Sequence, residues 1–508
     1  MAIQDFLLSV PLWIVLLLTL VVLLYLYGTQ PYRVWKELGV NGPTPYPFMG
    51  NVPEMFDDRI GNRVALSQWQ KLYGRIFGIY FFRAPTLVIT DPDVLKQVLI
   101  KDFNNFPDRY FIGEGNLQQR IIKKSVFFEE GAAWKRIRRI MSPTFTSGKL
   151  KLLTHYMNLT AQRLGENLKQ CSEDGTMAEA KKMFGAFTLD VICGTAFGLD
   201  TNSQQNFEGP FIQHAKHMLT FKKTLQLVLS SAGVFPIIGS IFKWFGIGFF
   251  NNIDVKFFEK NISAIIHNRK THPDAHQNMD FLQLLMEAED DVSEEFIGDK
   301  KLTTEEIVAQ AILFIIAGYE TTSTTLQYLG YELAKNQDVQ DKVMEEMLEV
   351  LGESTEPDYD KCQNLKYMEA TINETLRMYP PVHILSRWTE RAIDYKGVHI
   401  PAKTTILIPI GNIGRDPEFF SDPDCFRPDR FLNESKHQIN PITFLPFGQG
   451  PRACIGIRLA MMELKIALVH ILRNVRLVSA TPDVLDIEDY TGILVPRIPI
   501  KLHVKTVM

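Results

Sequence analysis

Cysteine is scarce in this chain of 508 residues, which contains five: Cys171, Cys193, Cys362, Cys425 and Cys454. They are scattered and form no CxxC pair, which argues against a disulfide framework and against a zinc site. Because their number is odd, at least one thiol is free, as is usual in a reducing compartment. The chain also lacks a strong charge excess: its formal net charge of −4 is too small to favour nucleic-acid binding by bulk attraction.

Long uncharged runs are equally scarce, with one clear exception over residues 6–27. As a helix, this run is long enough to cross a bilayer core of about 30 Å. It is longer than the apolar region of a cleaved signal peptide, whereas a buried core helix remains the alternative. Arg33 and Lys36 follow the run, so its C-terminal side is expected in the cytosol. We predict a single-span membrane anchor over 1–30, a proline-rich linker over 31–50 and a globular domain over 51–508.

The globular part reads as mainly α with small β-sheets. Two strands are predicted over 76–82 and 86–90, with a turn around Ala84 and Pro85. Most of 91–376 has a helical pattern, and one long helix begins at a capping box formed by Thr303 and Glu306. Short strands are predicted again near 398–400 and 405–409 and towards the C-terminus. A second apolar run, residues 234–250, is either a loop packed on the core or a segment that dips into the membrane beside a pocket.

The stretch FGQGPRACIG, residues 447–456, holds one cysteine between glycines and the start of a helix pattern. A lone cysteine is usually a small core residue. Here, however, glycine lets the backbone approach a large flat group, and a helix N-terminus stabilises the Cys454 thiolate. Arg452 can pair with an anionic group of the bound ligand. These features together fit a haem iron bound through sulfur.

The spacing of Phe447, Gly450, Arg452, Cys454 and Gly456 resembles the haem-binding loop of cytochrome P450 enzymes. Four further motifs resemble that family: WKRIR (134–138), AGYETT (317–322), ETLR (374–377) and FRPDRF (426–431). The resemblance covers essentially the whole chain. Stretches such as GPTPYPFMGN, SPTFTSGKL and IAGYETTS are similar to the microsomal third family, the 3A-like group that oxidises drugs and steroids.

The resemblance implies a P450 fold that follows one transmembrane helix, and it implies roles for particular residues. Haem b, with iron bound to the Cys454 thiolate, would be contacted by Phe447, Gly448, Trp134, Arg138, Arg387, Arg452 and Arg109. The acid–alcohol pair Glu320 and Thr321 would be catalytic. Glu374, Arg377 and Arg430 would form a buried structural network. The substrate pocket would be lined by Ser125, Phe127, Phe314, Ala317, Val382, His383, Ile384, Leu385, Ile493 and Leu494.

The implied activity is insertion of one oxygen atom from O2 into lipophilic substrates such as steroids, xenobiotics or fatty acids. The chain has no flavin or nicotinamide motif, so electrons from NADPH would arrive through NADPH–cytochrome P450 reductase, with cytochrome b5 as a second partner. A basic patch that could dock an acidic flavoprotein comprises Lys135, Arg136, Arg139, Lys149 and Lys151. The expected location is the endoplasmic reticulum membrane, with the catalytic domain in the cytosol and no nucleic-acid partner.

Two other functions fit a haem-thiolate protein. One is an isomerase or dehydratase of a lipid peroxide, which needs neither O2 nor a reductase. The intact Glu320–Thr321 pair argues against it, because such enzymes tend to lack the pair. The other is a non-enzymatic haem-binding protein, against which the proton-delivery and reductase-facing features argue.

Overall fold

The computed structural model describes residues 11–57, 61–109, 119–219, 227–229, 231, 235–245, 247–272, 280–287, 301–352, 356–489 and 492–507. Helices dominate this part of the chain, and the strands form small sheets. The predicted fold class, mainly α with minor sheets, is therefore confirmed. All five cysteines lie in the described part, and their thiols are free.

The α-helices of the first half are α1 (Leu12–Thr29), α2 (Val34–Glu37), α3 (Val52–Met55), α4 (Gly61–Tyr73), α5 (Pro92–Lys96), α6 (Arg120–Lys123), α7 (Gly131–Met141), α8 (Ser147–Glu173), α9 (Ala180–Phe197), α10 (Pro210–Leu219), α11 (Pro236–Trp244), α12 (Asn252–Thr271) and α13 (Phe281–Glu287). Those of the second half are α14 (Thr304–Lys335), α15 (Gln337–Leu351), α16 (Tyr359–Asn364), α17 (Lys366–Met378), α18 (Ile410–Ile413), α19 (Asn433–Gln438) and α20 (Ile457–Asn474). Short 3-10 turns include Ser142–Phe145 and Pro428–Phe431.

The strands are β1 (Ile76–Phe81), β2 (Ala84–Ile89), β3 (Ala178–Glu179), β4 (Leu385–Trp388), β5 (Ile393–Tyr395), β6 (Val398–Ile400), β7 (Thr405–Ile408), β8 (Val475–Thr481), β9 (Ile487–Glu488), β10 (Val495–Pro496) and β11 (Lys501–Thr506). The largest sheet has the order β1-β2-β7-β4, in which β2 and β7 are parallel and the other neighbours antiparallel. A three-stranded sheet has the order β3-β11-β8.

The predicted pairing of β1 with β2 is confirmed, but the predicted turn around Ala84 and Pro85 is wrong. Both residues belong to β2, where Pro85 lies opposite Tyr80. The chain reverses instead at Phe82, whose φ of 54° is in the left-handed region.

Helix α14 runs through the core, as its nearly uniform apolar sequence predicts. The capping box at its start is confirmed: the Thr303 hydroxyl accepts from the Glu306 N–H, and the Glu306 carboxylate accepts from the Thr303 N–H. Midway along it, Gly318 allows α9 to pack closely, because a Cβ there would lie 2.9 Å from Ile192 Cγ1. Gly318 therefore serves helix packing.

Helix α1 is apolar on all sides, and its side chains are exposed. Of the described helices, only the stretch Leu12–Glu37 and α14 are long and apolar enough to cross a membrane, and α14 is mostly buried in the core. At the C-terminal end of α1, Gly28 contacts the Phe48 ring, and the Arg83 guanidinium lies 3.6 Å above the Tyr27 ring. The first part of the predicted span, residues 6–10, lies outside the described residues.

Candidate functional site

The loop over 447–456 is folded back on itself just before α20. The Cys454 N–H donates to the Phe447 carbonyl at 2.8 Å, and the Ala453 N–H donates to the Gly450 carbonyl at 3.0 Å. Gly448 and Gly450 have φ values of 68° and 76°, which glycine adopts without strain. A Cβ on Gly450 would lie 1.9 Å from the Leu99 carbonyl oxygen, so this glycine lets the loop dock on neighbouring backbone rather than on a flat ligand.

The Cys454 side chain is solvent-accessible although protein surrounds it, so it lies at the wall of a cleft inside the fold. Burial raises the pKa of the thiol, while the Gly456 N–H and the charges of Arg138 and Arg109 act to lower it. A metal ion at the sulfur would add a further positive charge that favours the thiolate. The position therefore suits a metal ligand better than a small core residue.

Four arginines cluster around this loop. Arg109 and Arg138 donate to the carbonyls of Arg452 and Ala453, at 2.8 and 2.9 Å. Arg452 is buried, lies 4.0 Å above the Trp134 ring and is paired with Asp108 at 2.7 Å. Arg452 also donates three hydrogen bonds to backbone carbonyls: from Nε to Pro107, from Nη1 to Val126 and from Nη2 to Glu129.

The buried positive charge of Arg387 is poorly balanced by neighbouring groups. It is buried, its Nη1 donates only to its own Ser386 carbonyl, and its Nε has no hydrogen-bond partner among the described residues. Burial and the repulsion of Arg452 lower the pKa of Arg387 to about 10. Burial and the three neighbouring guanidinium groups lower the pKa of Arg109 well below its usual value.

A buried cation needs an anionic partner, because an unpaired one costs several kcal/mol. Asp108 is paired with Arg452, and Glu130 also attracts that guanidinium. Among the described residues, Arg109, Arg138 and Arg387 form no ion pair with a carboxylate, so the cluster has room for further negative charge. A haem carries two propionates, and its iron would meet the adjacent sulfur. The residues present thus fit a haem whose propionates face these arginines.

Ala317 is exposed and Thr321 partly exposed midway along α14, a helix that runs through the core, so both face the interior cleft. The Thr321 hydroxyl donates to the Ala317 carbonyl at 2.6 Å. The Phe145 ring connects this region to the cysteine loop: it lies 5.8 Å from the Phe314 ring and 3.9 Å from where a Cβ on Gly456 would be.

Glu320 does not point the same way as Thr321, because consecutive helical residues are turned by about 100°. Its carboxylate is paired with Lys181 of α9 at 2.8 Å, and this ammonium also contacts the hydroxyls of Ser323 and Thr324 at 2.8 and 3.0 Å. Lys181 is 30% exposed and Glu320 12%, so the pair connects α14 to solvent. Sequence reasoning missed Lys181, which lies 139 residues away in the chain.

The structure brings Glu374, Arg377 and Arg430 together. Arg377 Nε and Nη2 donate to the two carboxylate oxygens of Glu374 at 2.7 and 2.8 Å, and Arg430 Nε lies 3.2 Å from one of them. The same oxygen accepts from the Arg427 N–H at 2.9 Å. The network ties α17 to the turn Pro428–Phe431.

The proposed pocket residues divide into two groups. Partly or fully accessible are Phe127, Ala317, Val382, Ile384, Leu385 and Ile493. Buried among core side chains are Ser125, Phe314, His383 and Leu494. The place of these four residues in the pocket lining therefore stays a prediction.

Local geometry explains the buried group. His383 alternates with its accessible neighbours, as residues in extended backbone do. Phe314 packs against Phe145 and Phe281, whereas Leu313 and Ile316 are partly accessible and were missed. Leu313 precedes Ala317 by four residues, so helical periodicity about Ala317 would have favoured it.

An exposed apolar patch lies on and after α11. It consists of Ile237, Ile241, Trp244 and Phe245, which are 77%, 47%, 83% and 66% exposed. These residues belong to the run 234–250, of which residues 234 and 246 are outside the described part. The described portion has two kinds of large side chain: these four face outwards, whereas Phe249 and Phe250 are buried in the core and Ile238 and Phe242 pack against it.

Comparison with known proteins gives one consistent result. A sequence profile of the family described as Cytochrome P450 matches residues 40–504. Cytochrome P450 3A29 of Sus scrofa is 39% identical over 469 residues, which cover 91% of this chain and 90% of that protein. Cytochrome P450 3A5 of Homo sapiens is 37% identical over 499 residues (98% and 97%). Lithocholate 6-beta-hydroxylase of Mesocricetus auratus is 38% identical over 468 residues (92% and 91%).

Proposed function

The chain belongs to the cytochrome P450 family and is a haem monooxygenase of lipophilic substrates, and we propose that it takes its electrons from NADPH through NADPH–cytochrome P450 reductase. Cytochrome b5 is a second electron donor in this proposal. The observation that carries the assignment of the site is the accessible Cys454 thiol beside a cluster of four arginines, of which Arg452 alone is paired with a carboxylate among the described residues.

Haem b would be held by the Cys454 sulfur at its iron and by Arg109, Arg138 and Arg387 at its propionates. Bound in this way, it supplies activation of O2 and insertion of one oxygen atom into the substrate. Arg452 is already engaged by Asp108, so its main contribution would be to add positive charge and to stack on Trp134. Phe447 and Gly448 would shape the loop that presents the sulfur.

The chain's own proton path would begin at the Lys181–Glu320 pair. Lys181 is accessible to solvent, and its ammonium group holds the Glu320 carboxylate at 2.8 Å. Glu320 would take protons from the solvent side, and the Thr321 hydroxyl would hold a proton on the cleft side. The hydrogen bond from Thr321 to the Ala317 carbonyl fixes that hydroxyl.

Helix α7 would connect the reductase surface to the cofactor. Its inner face carries Trp134 and Arg138, and its outer face carries the exposed side chains of Lys135 and Arg139. Arg136 of the basic patch is paired with Glu306, and Lys151 with Asp360 at 2.7 Å. Lys135 and Lys149 are therefore the patch residues best suited to meet an acidic partner.

The membrane would be contacted at two places: α1 as a single span and the exposed patch Ile237, Ile241, Trp244 and Phe245. We place the anchor in the endoplasmic reticulum membrane with the catalytic domain on the cytosolic side, because Arg33 and Lys36 follow the apolar run. A relative's name, lithocholate 6-beta-hydroxylase, favours a steroid-like molecule as substrate, which would partition into that membrane.

Reconstitution with reductase in phospholipid vesicles tests the proposal. The expected results are a reduced carbon monoxide spectrum of the thiolate type and NADPH-dependent hydroxylation of lithocholate or of another steroid. Cys454→Ala should lose that spectrum, whereas Cys425→Ala, which changes another exposed thiol, should retain it. Turnover of a lipid peroxide without NADPH, in place of NADPH-dependent oxidation, would instead support the isomerase alternative.

A further inference from the structure

One buried amide clamps a loop beside the cleft. Gln310, on the second turn of α14, is 0% exposed. Its Oε1 accepts from the Val126 N–H at 2.7 Å, and its Nε2 donates to the Lys124 carbonyl at 2.9 Å and to the Glu306 carbonyl at 3.0 Å. The side chain therefore holds the peptide groups on both sides of Ser125.

Residues 119–128, which we name the recognition loop, carry two partly accessible rings. The rings of Phe127 and Phe128 are 4.8 Å apart. Arg109 binds the loop from the other side: its Nη1 donates to the Phe127 carbonyl at 3.3 Å, and its guanidinium lies 4.3 Å from the Phe127 ring. Because Arg109 also binds the Arg452 carbonyl, the loop is fixed between α14 and the cysteine loop.

We propose that Gln310 is a specificity-determining positioning residue, which sets where the Phe127–Phe128 wall stands over the cleft. This inference rests on the proposed use of the cleft as the oxidation site. Gln310 touches neither substrate nor cofactor in this proposal, and it acts through the loop. The Gln310 amide meets both needs, since one of its atoms accepts from an N–H while the other donates to carbonyls.

Two replacements probe this need differently. Gln310→Leu is close in size but leaves the Val126 N–H and the Lys124 carbonyl without partners. Gln310→Glu still accepts from Val126, but a carboxylate cannot donate to the Lys124 carbonyl. Both variants should release the loop, and the leucine variant should release it further.

Gln340 provides a matched control far from the cleft. It is also 0% exposed, its Oε1 accepts from the Leu477 N–H at 2.9 Å, and its Nε2 donates to the carbonyls of Leu477 and Leu333 at 2.8 and 3.2 Å. It therefore clamps β8 as Gln310 clamps the recognition loop. Gln340→Leu should cost similar thermal stability without changing the cleft.

The experiment compares the full-length, haem-loaded variants with two nitrogen ligands, imidazole and the bulkier 4-phenylimidazole, which are titrated by their optical shift. For Gln310→Leu, the ratio of the two affinities should change about tenfold, which corresponds to the loss of one or two buried hydrogen bonds. Hydrogen exchange in peptides over 119–128 should rise in both Gln310 variants. Gln340→Leu should leave both readouts as in the parent.

An affinity ratio and a loop exchange rate that match those of Gln340→Leu would overturn the proposal. Loss of the thiolate-type spectrum in both Gln310 variants would also overturn it, because Gln310 would then support the fold as a whole. Neither readout needs NADPH, a reductase or a known substrate. Failure of the proposed electron route would therefore appear separately, as absent NADPH-dependent turnover in the parent protein.

Discussion

Replacing Glu374 with alanine tests the buried charge network most directly. Glu374 is 0% exposed and accepts hydrogen bonds from Arg377, Arg430 and the Arg427 N–H. Without it, the hydrogen bonds left to the buried Arg377 guanidinium among the described residues are those to the carbonyls of Gly414 at 2.7 Å and, weakly, Cys425 at 3.4 Å, beside the Phe420 ring at 5.3 Å. Removing one partner of a buried ion pair costs about 3–5 kcal/mol, because the other charge stays buried and unpaired.

The size of the protein converts that cost into a modest shift of Tm. At about 2.1 cal/mol/K per residue, a domain of this length has an unfolding entropy of about 1 kcal/mol/K. The expected fall in Tm is therefore about 3–5 °C for Glu374→Ala. Because α17 also contacts α20, the helix that follows the cysteine loop, the thiolate-type spectrum should be lost at a lower temperature as well.

The assay is thermal unfolding of the haem-loaded protein, followed together with its reduced carbon monoxide spectrum. Glu349→Ala, which removes an exposed carboxylate, serves as the control and should change Tm by less than about 1 °C. The double variant Glu374→Leu, Arg377→Met removes both charges, so it should recover part of the loss. The reasoning would be refuted if the Tm of Glu374→Ala fell within the range of the control. It would also be refuted if the double variant lost as much stability as the two single changes added together.

Four further outcomes follow from the site and its surroundings. Thr321→Ala should keep the thiolate-type spectrum but lower the ratio of product formed to NADPH oxidised and release more peroxide; an unchanged ratio would remove the hydroxyl from proton handling. Lys181→Met should slow product formation without loss of haem, since it frees the Glu320 carboxylate paired with it at 2.8 Å, and a rate equal to the parent's would contradict this. Trp244→Phe should remove part of the tryptophan fluorescence that brominated lipids quench in reconstituted vesicles, because Trp244 is 83% exposed beside Phe245; quenching equal to the parent's would exclude membrane contact there. Burial lowers the pKa of His470 to about 4, below the usual value of about 6.5. As the pH falls from about 6.5 to about 4, the unfolded state therefore binds the proton before the folded state does, and the folded state loses stability. His470→Leu should therefore lose less Tm than the parent between these two pH values, and an equal loss would contradict the assignment.

Motifs whose partners are close in sequence were predictable. The capping box joins residues three apart, and Glu374 and Arg377 are also three apart on one helix. The cysteine loop closes within ten residues, so its glycines and helix start are visible in the sequence. In each case, the spacing itself brings the groups together.

Contacts between distant segments could not be predicted in this way. Lys181 and Glu320 are 139 residues apart, and Asp108 and Arg452 are 344 apart, so their pairing depends on how the helices and loops pack. Helix α14 poses a related problem because it is apolar on nearly all sides. Without a polar stripe, the sequence does not say which face meets the cleft: it predicts Phe314 in the lining, whereas Leu313 is the more accessible of the two.

Helix α14 carries both the proposed positioning residue, Gln310, and the proposed proton-handling residue, Thr321. Gln310 holds the recognition loop near one end, and Thr321 lies eleven residues further on, about 16 Å along the helix axis. Because separate turns carry the two tasks, a change at one end should not disturb the other. A released loop should alter which ligands fit while NADPH stays coupled to product, whereas loss of the Thr321 hydroxyl should alter the coupling while the ratio of ligand affinities stays the same. Opposite patterns in the Gln310 and Thr321 variants would therefore separate positioning from proton handling on the same helix.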